Sequence, residues 1–421
     1  MSNIIFSLIP PISLEIILSC LLWYSVSSAS SQVTKLILND FPYPLALGEI
    51  QFIIVSVLSI LTVFLFKLFP YLHSLFPKGT IPPKEQSIRD TLVPTMHILM
   101  TVLPLGCFQF LGKWFSHSAT ALVPVSTVAG VKTLSPFVLV LTYRLLYKVK
   151  FPTATYLTLA PLILGILMIV VADKKGTLER VQSEAQTLTN DSILCAHNIG
   201  ILYAALSLLV FVSQNIYGKT VFTYNQKHFN DHQELALGKS SSEIVLPIYN
   251  DLSEKEIEQR KAARNYEAQV AQAQKSTRPM TTAGRKKYDK LTLLLFCSIV
   301  GSLLSLPWFL IYEYPIISTA VSAIPETIEE GNNSITVSTL VIPWHLLMIN
   351  GMSHFCQSMI AFHLLGAMAT VSYSVASMMK RITIIVVSIA YTGKSITGLQ
   401  FMGIFLTAIG LYSYDRWGGH A

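Results

Sequence analysis

The stretch ATVSYSVASMMKRITIIVVSIAY, residues 369–391, decides how this chain is read. It is apolar or small almost throughout and long enough to cross a bilayer, for which about 20 mostly apolar residues suffice. Yet Lys380 and Arg381 stand side by side near its middle. A charge at bilayer depth costs at least ~3 kcal/mol even on the lenient insertion scale. The two like charges also repel each other, and the apolar flanks on both sides are too long for easy snorkelling. Cations kept at this depth imply a water-filled cavity in which they await an anion.

A second stretch repeats the pattern. VPVSTVAGVKTLSP, residues 123–136, places Lys132 deep in an apolar helix after a run of small residues. The competing reading is internal pairing. Glu15 and Glu49 are the clear intramembrane carboxylates, and both sit nearer helix ends. Two acids against three deep cations leave positive charge over. Arginine offers a bidentate fork and lysine a mobile point charge, a combination suited to phosphate.

The rest of the chain agrees with a lipid solvent. Of its 421 residues 52% are hydrophobic and only 13% charged, and its mean hydropathy is +0.53. A soluble domain carries roughly 25% charged residues. About ten spans are expected, at 12–34, 45–67, 93–112, 118–147, 152–172, 196–222, 291–313, 339–366, 369–392 and 397–415. The fold class is therefore all-α and polytopic, with about ten transmembrane helices in two inverted five-helix repeats. Residues 1–222 hold the first repeat and the sixth span, 223–290 form a charged cytosolic loop, and 291–421 hold the remaining four spans. An odd number of spans per half inverts the second half, and such carriers bind substrate near the midplane between the halves.

Loop charge orients the chain. Basic residues gather on the cytoplasmic side. The 223–290 loop ends in Arg285, Lys286, Lys287 and Lys290, and the 148–151 loop is flanked by Arg144, Lys148 and Lys150. The 314–338 loop has no Lys or Arg but carries Glu326, Glu329 and Glu330. Both termini are then cytosolic. The 173–195 loop dissents, with Lys174, Lys175 and Arg180 offset by four acids. Two glycan acceptor motifs, at Asn190 and Asn332, fall in the loops assigned to the lumen, which suits a secretory-pathway membrane. In the 223–290 loop, Ser253 with Glu256 resembles a capping box for a solvated helix over 251–274.

Ser116, His117 and Lys113, at the junction of the third and fourth spans, and Gln214 and Asn215 in the sixth are candidate polar wall residues. Serines crowd the first and ninth spans, where small side chains let helices approach closely. Five scattered cysteines form no CxxC pair. No paired acid/base carboxylates, nucleophile motif, metal cluster or glycine-rich phosphate loop argues for an enzyme. No cofactor, metal or nucleic-acid partner is expected.

At these residues the sequence resembles the triose-phosphate translocator family of the drug/metabolite transporter superfamily, in its fungal endoplasmic-reticulum branch. The likeness covers nearly all the chain except 223–290. WYSVSSASSQVTK with FPYP (Trp23 to Pro44) looks like the family's first span, with Lys35 at its basic position. Val123 to Pro136 looks like its fourth-span motif and Val375 to Arg381 like its ninth. The resemblance implies that Lys132, Lys380 and Arg381 contact phosphate. Ser116 falls where the family usually has a threonine that does so. Three departures follow. Gln214 stands for an arginine facing the other end of the substrate, HFCQ (His354 to Gln357) replaces a YNQ motif, and Tyr373 replaces a histidine. The phosphate half of the site is kept and the other half altered.

The expected function is exchange of a small phosphorylated metabolite for inorganic phosphate by alternating access, in the endoplasmic reticulum or, second, the Golgi. Closing the cavity empty would bury unpaired cations, whereas a bound anion neutralises them. The partners would be that anion, phosphate, membrane lipid and a cytosolic protein at the 223–290 loop. Two alternatives stand beside it. One is a nucleotide-sugar carrier exchanging a nucleoside monophosphate. The other is a non-transporting factor in vesicle traffic that acts through the loop.

Overall fold

In the computed structural model the described residues are 14–71, 80–82, 88–146, 148, 153–184, 190–236, 289–322, 327–330, 333–336, 341–367, 370–391 and 397–413. In chain order the helices are α1 (Leu14–Asp40), α2 (Pro44–Leu68), α3 (Ile88–Leu92), α4 (Met96–Leu122), α5 (Val125–Thr133), α6 (Ser135–Leu146), α7 (Thr153–Glu184), α8 (Asn190–Ala236), α9 (Lys290–Trp308), α10 (Tyr314–Ser322), α11 (Trp344–Ala367), α12 (Thr370–Tyr391) and α13 (Gly398–Ser413). Among the described residues, seven helical segments are long and apolar enough to cross a membrane, and α13 is a shorter apolar helix. The protein is a multi-pass membrane protein. Leucines, isoleucines and phenylalanines on the outer faces are exposed, as a lipid-facing surface requires.

Each expected span falls on a helical segment, with four differences. First, α4 continues to Leu122, so Lys113, Ser116 and His117 lie within a helix and not at a junction. The chain breaks instead at Val123 and Pro124. Second, the fourth span is interrupted at Leu134. Pro136 has no N–H to give the Lys132 carbonyl, which removes one helical bond at that turn. Third, the helices overrun their expected ends. α7 carries Lys174, Lys175 and Arg180 as a continuation of the fifth span, and α8 extends to Ala236, into the expected loop. Fourth, the chain is not purely helical. Thr327–Glu330 and Asn333–Thr336 pair as an antiparallel hairpin between α10 and α11. Asn190 opens α8. Asn332 and the 251–274 segment lie outside the described residues.

Local chemistry explains the ends. Asp289 caps α9, its carboxylate accepting from the Thr292 N–H at 2.9 Å. Burial pushes this carboxyl up while the Thr292 hydrogen bonds pull it down. Pro307 interrupts the end of α9, and a π-helical turn, Phe309–Glu313, follows before α10. That turn delivers Glu313 to the start of α2. Its carboxylate accepts from the Leu45 and Ala46 N–H groups at 2.9 and 2.7 Å. Tyr43, the N-cap of α2, makes no side-chain cap, so the acid of a distant helix satisfies the orphan donors.

The helices pack in a definite set of pairs. α7 packs on α13, α4 on α8, α1 on α11, α2 on α9 and α5 on α12. α4 also packs on α9, α2 on α11, α5 on α8, and α1 on α12. Where α7 meets α13 the backbones nearly touch. A Cβ on Gly165 would sit 2.6 Å from the Gly403 carbonyl oxygen, and one on Gly410 only 2.4 Å from the Leu162 nitrogen.

Candidate functional site

The break in the fourth span sets the site. Lys132 is in the last turn of α5, and its ammonium donates to the Ser116 hydroxyl of α4 at 2.5 Å. It also lies 5.1 Å from the centre of the Phe211 ring of α8. Just past the break, Ser135 accepts a 2.7 Å hydrogen bond from the Arg381 guanidinium of α12. Lys380 turns the other way, its ammonium 4.1 Å from the Trp23 ring of α1. Residues one apart on a helix face different directions, so the adjacent pair reaches two different walls. The three cations still act on one another's charge. Among the described residues none of the three has a carboxylate partner; hydroxyls and rings meet them instead.

A small cavity of about 40 Å³, lined by both polar and apolar groups, opens against Arg381. Ser135, Asn215, Tyr373 and Ser377 supply its polar wall, and Val212 and Leu139 part of its apolar one. Tyr373 stacks on Trp23 with ring centres 5.8 Å apart. Helices α1, α6, α8 and α12 thus converge here.

A second polar group adjoins the first. Lys113, one turn before Ser116 and His117 on α4, is buried with its ammonium 3.9 Å from the Phe52 ring centre. His117 Nε2 meets Gln51 Oε1 at 3.2 Å. The Gln51 amide donates to Asn350 Oδ1 at 2.5 Å, and the Asn350 amide donates to Thr34 Oγ1 at 2.9 Å. This line of side chains ties α4, α2, α11 and α1 together through the core. Glu49 accepts from the hydroxyls of Ser302 and Ser305 on α9, and its charge is also felt by Lys113. Of the expected polar wall residues of α4, Lys113 and His117 are buried and Ser116 is half-buried, and all three are partnered.

The other expected site residues divide. Tyr373 and Ser116 join the cation group. Gln214 is half buried with its carbonyl oxygen sealed and unpartnered, while its neighbour Asn215 reaches the cavity. Gln357 is half buried on α11, three residues beyond His354, which feels the charges of Lys113 and Lys380. Lys35 stands apart. Its ammonium donates to the carbonyls of Thr120, Ala121 and Val123 at 2.8, 3.3 and 3.4 Å, which caps the C-terminus of α4. Ser135 and Phe211 were not expected, since a neutral residue in an apolar run carries no sequence signal of this kind.

Comparison with known proteins identifies the family. The Triose-phosphate Transporter family matches residues 14–177 and 261–415. The chain is 38% identical over 418 residues to the uncharacterized transporter YJL193W of Saccharomyces cerevisiae, covering 96% of this chain and 93% of that one. It is 32% identical over 426 residues to the uncharacterized transporter SLY41 of the same yeast, covering 97% and 82%. The two family segments leave out residues 178–260 between them, which include α8, and together they hold Lys132, Lys380 and Arg381. The chain is a member of the triose-phosphate transporter family.

Proposed function

We propose that this transporter exchanges a small phosphorylated metabolite for inorganic phosphate by alternating access, across the membrane of the endoplasmic reticulum and with both termini cytosolic. The observation that carries the reading is the trio Lys132, Lys380 and Arg381, which feel one another's charge and, among the described residues, have hydroxyls and rings for partners and no carboxylate. A phosphate accepts from a guanidinium fork and from two ammonium groups at once. Ser116, Ser135 and Ser377 offer hydroxyls that donate or accept as the anion's protonation requires.

The helix pairing supports an inverted repeat. Number the spans in order, with α5 and α6 as the fourth and α9 to α10 as the seventh. Exchanging each span with the one five places away turns the pair α4·α8 into α11·α1, and α4·α9 into α11·α2. The same exchange turns α5·α8 into α12·α1, and leaves α2·α9, α5·α12 and α7·α13 as they are. A set of contacts that survives this exchange is what a two-fold axis in the membrane plane produces. The cation site then lies where the fourth and ninth spans cross that axis.

The exchange requirement follows from charge. An empty site that closes buries three unpaired cations, and an anion removes that penalty. The test is reconstitution into liposomes loaded with phosphate and uptake of labelled phosphate. Unlabelled triose phosphate, phosphoenolpyruvate, hexose phosphates and nucleoside monophosphates serve as competitors. Uptake that depends on internal phosphate and disappears in Lys132→Ala is the expected result. Competition by nucleoside monophosphates alone would reassign the substrate to nucleotide sugars.

A further inference from the structure

We propose that Trp23 is a positioning residue of the anion site, its indole face holding the Lys380 ammonium where it feels the charges of Lys132 and Arg381 before the anion arrives. The inference rests on the cation trio being the anion site and adds a role on α1, which contributes no charge to it.

Three observations converge on Trp23. It is only 2% exposed and packs with Leu364 and Ala376. One ring partner is Tyr373, which lines the cavity beside Arg381. Another is the Lys380 ammonium itself. Tyr373 and Lys380 are seven residues apart on α12 and so share a face, and the indole meets both. The indole N–H, meanwhile, is buried without a hydrogen-bond partner among the described residues. An unsatisfied buried donor is costly. A packing role alone would be filled without that cost by phenylalanine or leucine. What the indole adds is the strongest of the aromatic faces for a cation.

The physical need is specific. Helix geometry sends Lys380 and Arg381 to different walls, and Arg381 is fixed by Ser135. Lys380 has no hydroxyl or carboxylate partner among the described residues, so without a ring beneath it the long side chain would be free to leave the site. An ammonium resting on a ring keeps donors on its far side, since it has three N–H groups. The ring and an anion can therefore hold it together. Preorganising a ligand group in this way strengthens binding by removing the cost of ordering it.

The experiment uses the full-length protein and inorganic phosphate as the probe. Phosphate exchange is measured in liposomes for the wild type, Trp23→Phe and Trp23→Leu. Trp23→Leu is expected to raise KM for phosphate roughly tenfold with Vmax little changed, and Trp23→Phe, which keeps a ring, by no more than about threefold. In parallel, tryptophan emission is followed as phosphate is added to detergent-purified protein. Trp23 is one of five tryptophans, and the phosphate-dependent change expected in the wild type should vanish in Trp23→Phe. If Trp23→Leu fails to fold, this emission comparison decides. A wild-type KM in Trp23→Leu, or an undiminished emission change in Trp23→Phe, would overturn the role of Trp23. Absence of any phosphate exchange by the wild type would instead retire the reading of the whole site.

Discussion

At the scale of single residues, the site is legible where it breaks the rules of its solvent. Lys132, Lys380 and Arg381 stand out because lipid penalises them, and all three meet in one interior. Ser116, sixteen residues before Lys132, is read from the sequence as a candidate polar wall residue and tied to phosphate only through a resemblance, and Ser135 and Phe211 are not found at all. A serine or phenylalanine in an apolar helix is unremarkable until its neighbour is known. Lys35 shows the converse. Its charge is plain in the sequence, but whether it serves an anion or a helix end depends on α4 running ten residues further than its polar patch suggests. Lys132→Ala should lower phosphate exchange by at least about a hundredfold, as expected for losing a charge-assisted contact of a few kcal/mol. Ser116→Ala should be milder, about tenfold, because it removes one neutral partner. Both are read from initial rates in liposomes. Lys35→Met should act on stability instead. It should lower the melting temperature of the purified protein while leaving KM for phosphate close to wild type.

At the scale of elements, hydropathy locates the helices and proline locates their breaks. The cluster KWFSH, residues 113–117, looked like a boundary because it is polar. It is helical because Gln51, Phe52 and Lys132 receive its side chains, and no local pattern announces partners so remote in sequence. The interruption at Leu134 is where the fourth span presents both Lys132 and Ser135 to α12. Pro136→Ala would restore a backbone donor and favour a continuous helix. The expected outcome is a melting temperature equal to or above that of the wild type, together with slower exchange. Thermal unfolding of the purified protein and liposome rates measure the two arms. Unchanged exchange would mean that the interruption has no part in presenting the cations.

At the scale of the whole molecule, three side chains close one end of the bundle. Lys35 grips the last carbonyls of α4, Glu313 the first N–H groups of α2, and Asp173 the Ser126 and Thr127 hydroxyls at the start of α5, at 2.5 and 2.8 Å. Gln400 of α13 also donates to Asp173 at 2.9 Å. An alternating carrier must release such contacts to open this end. Glu313→Gln, which weakens the grip on α2, should favour the conformation open there. A cysteine introduced at Tyr43 should then react faster with a membrane-impermeant thiol reagent applied from that side, and added phosphate should alter its rate. The pairing of helices that builds this end was not legible in the sequence, because it joins segments hundreds of residues apart through faces that are equally apolar to lipid and to protein.

The glycine seam between α7 and α13 carries a consequence for biosynthesis. The ribosome delivers α7 long before α13, and chains generally acquire structure from the N-terminus forward. Until the last helix is inserted, Gly165 faces lipid with no side chain to fill the gap, and its groove has no occupant. The approach leaves no room even for a methyl group on Gly410. The seam is thus made only when α13 is inserted, and a chain that stops short of Gly398 leaves α7 with an unfinished surface for quality control to find. Such truncations should be degraded in the cell at a rate set by the missing helix, even though every cation of the site has already been made.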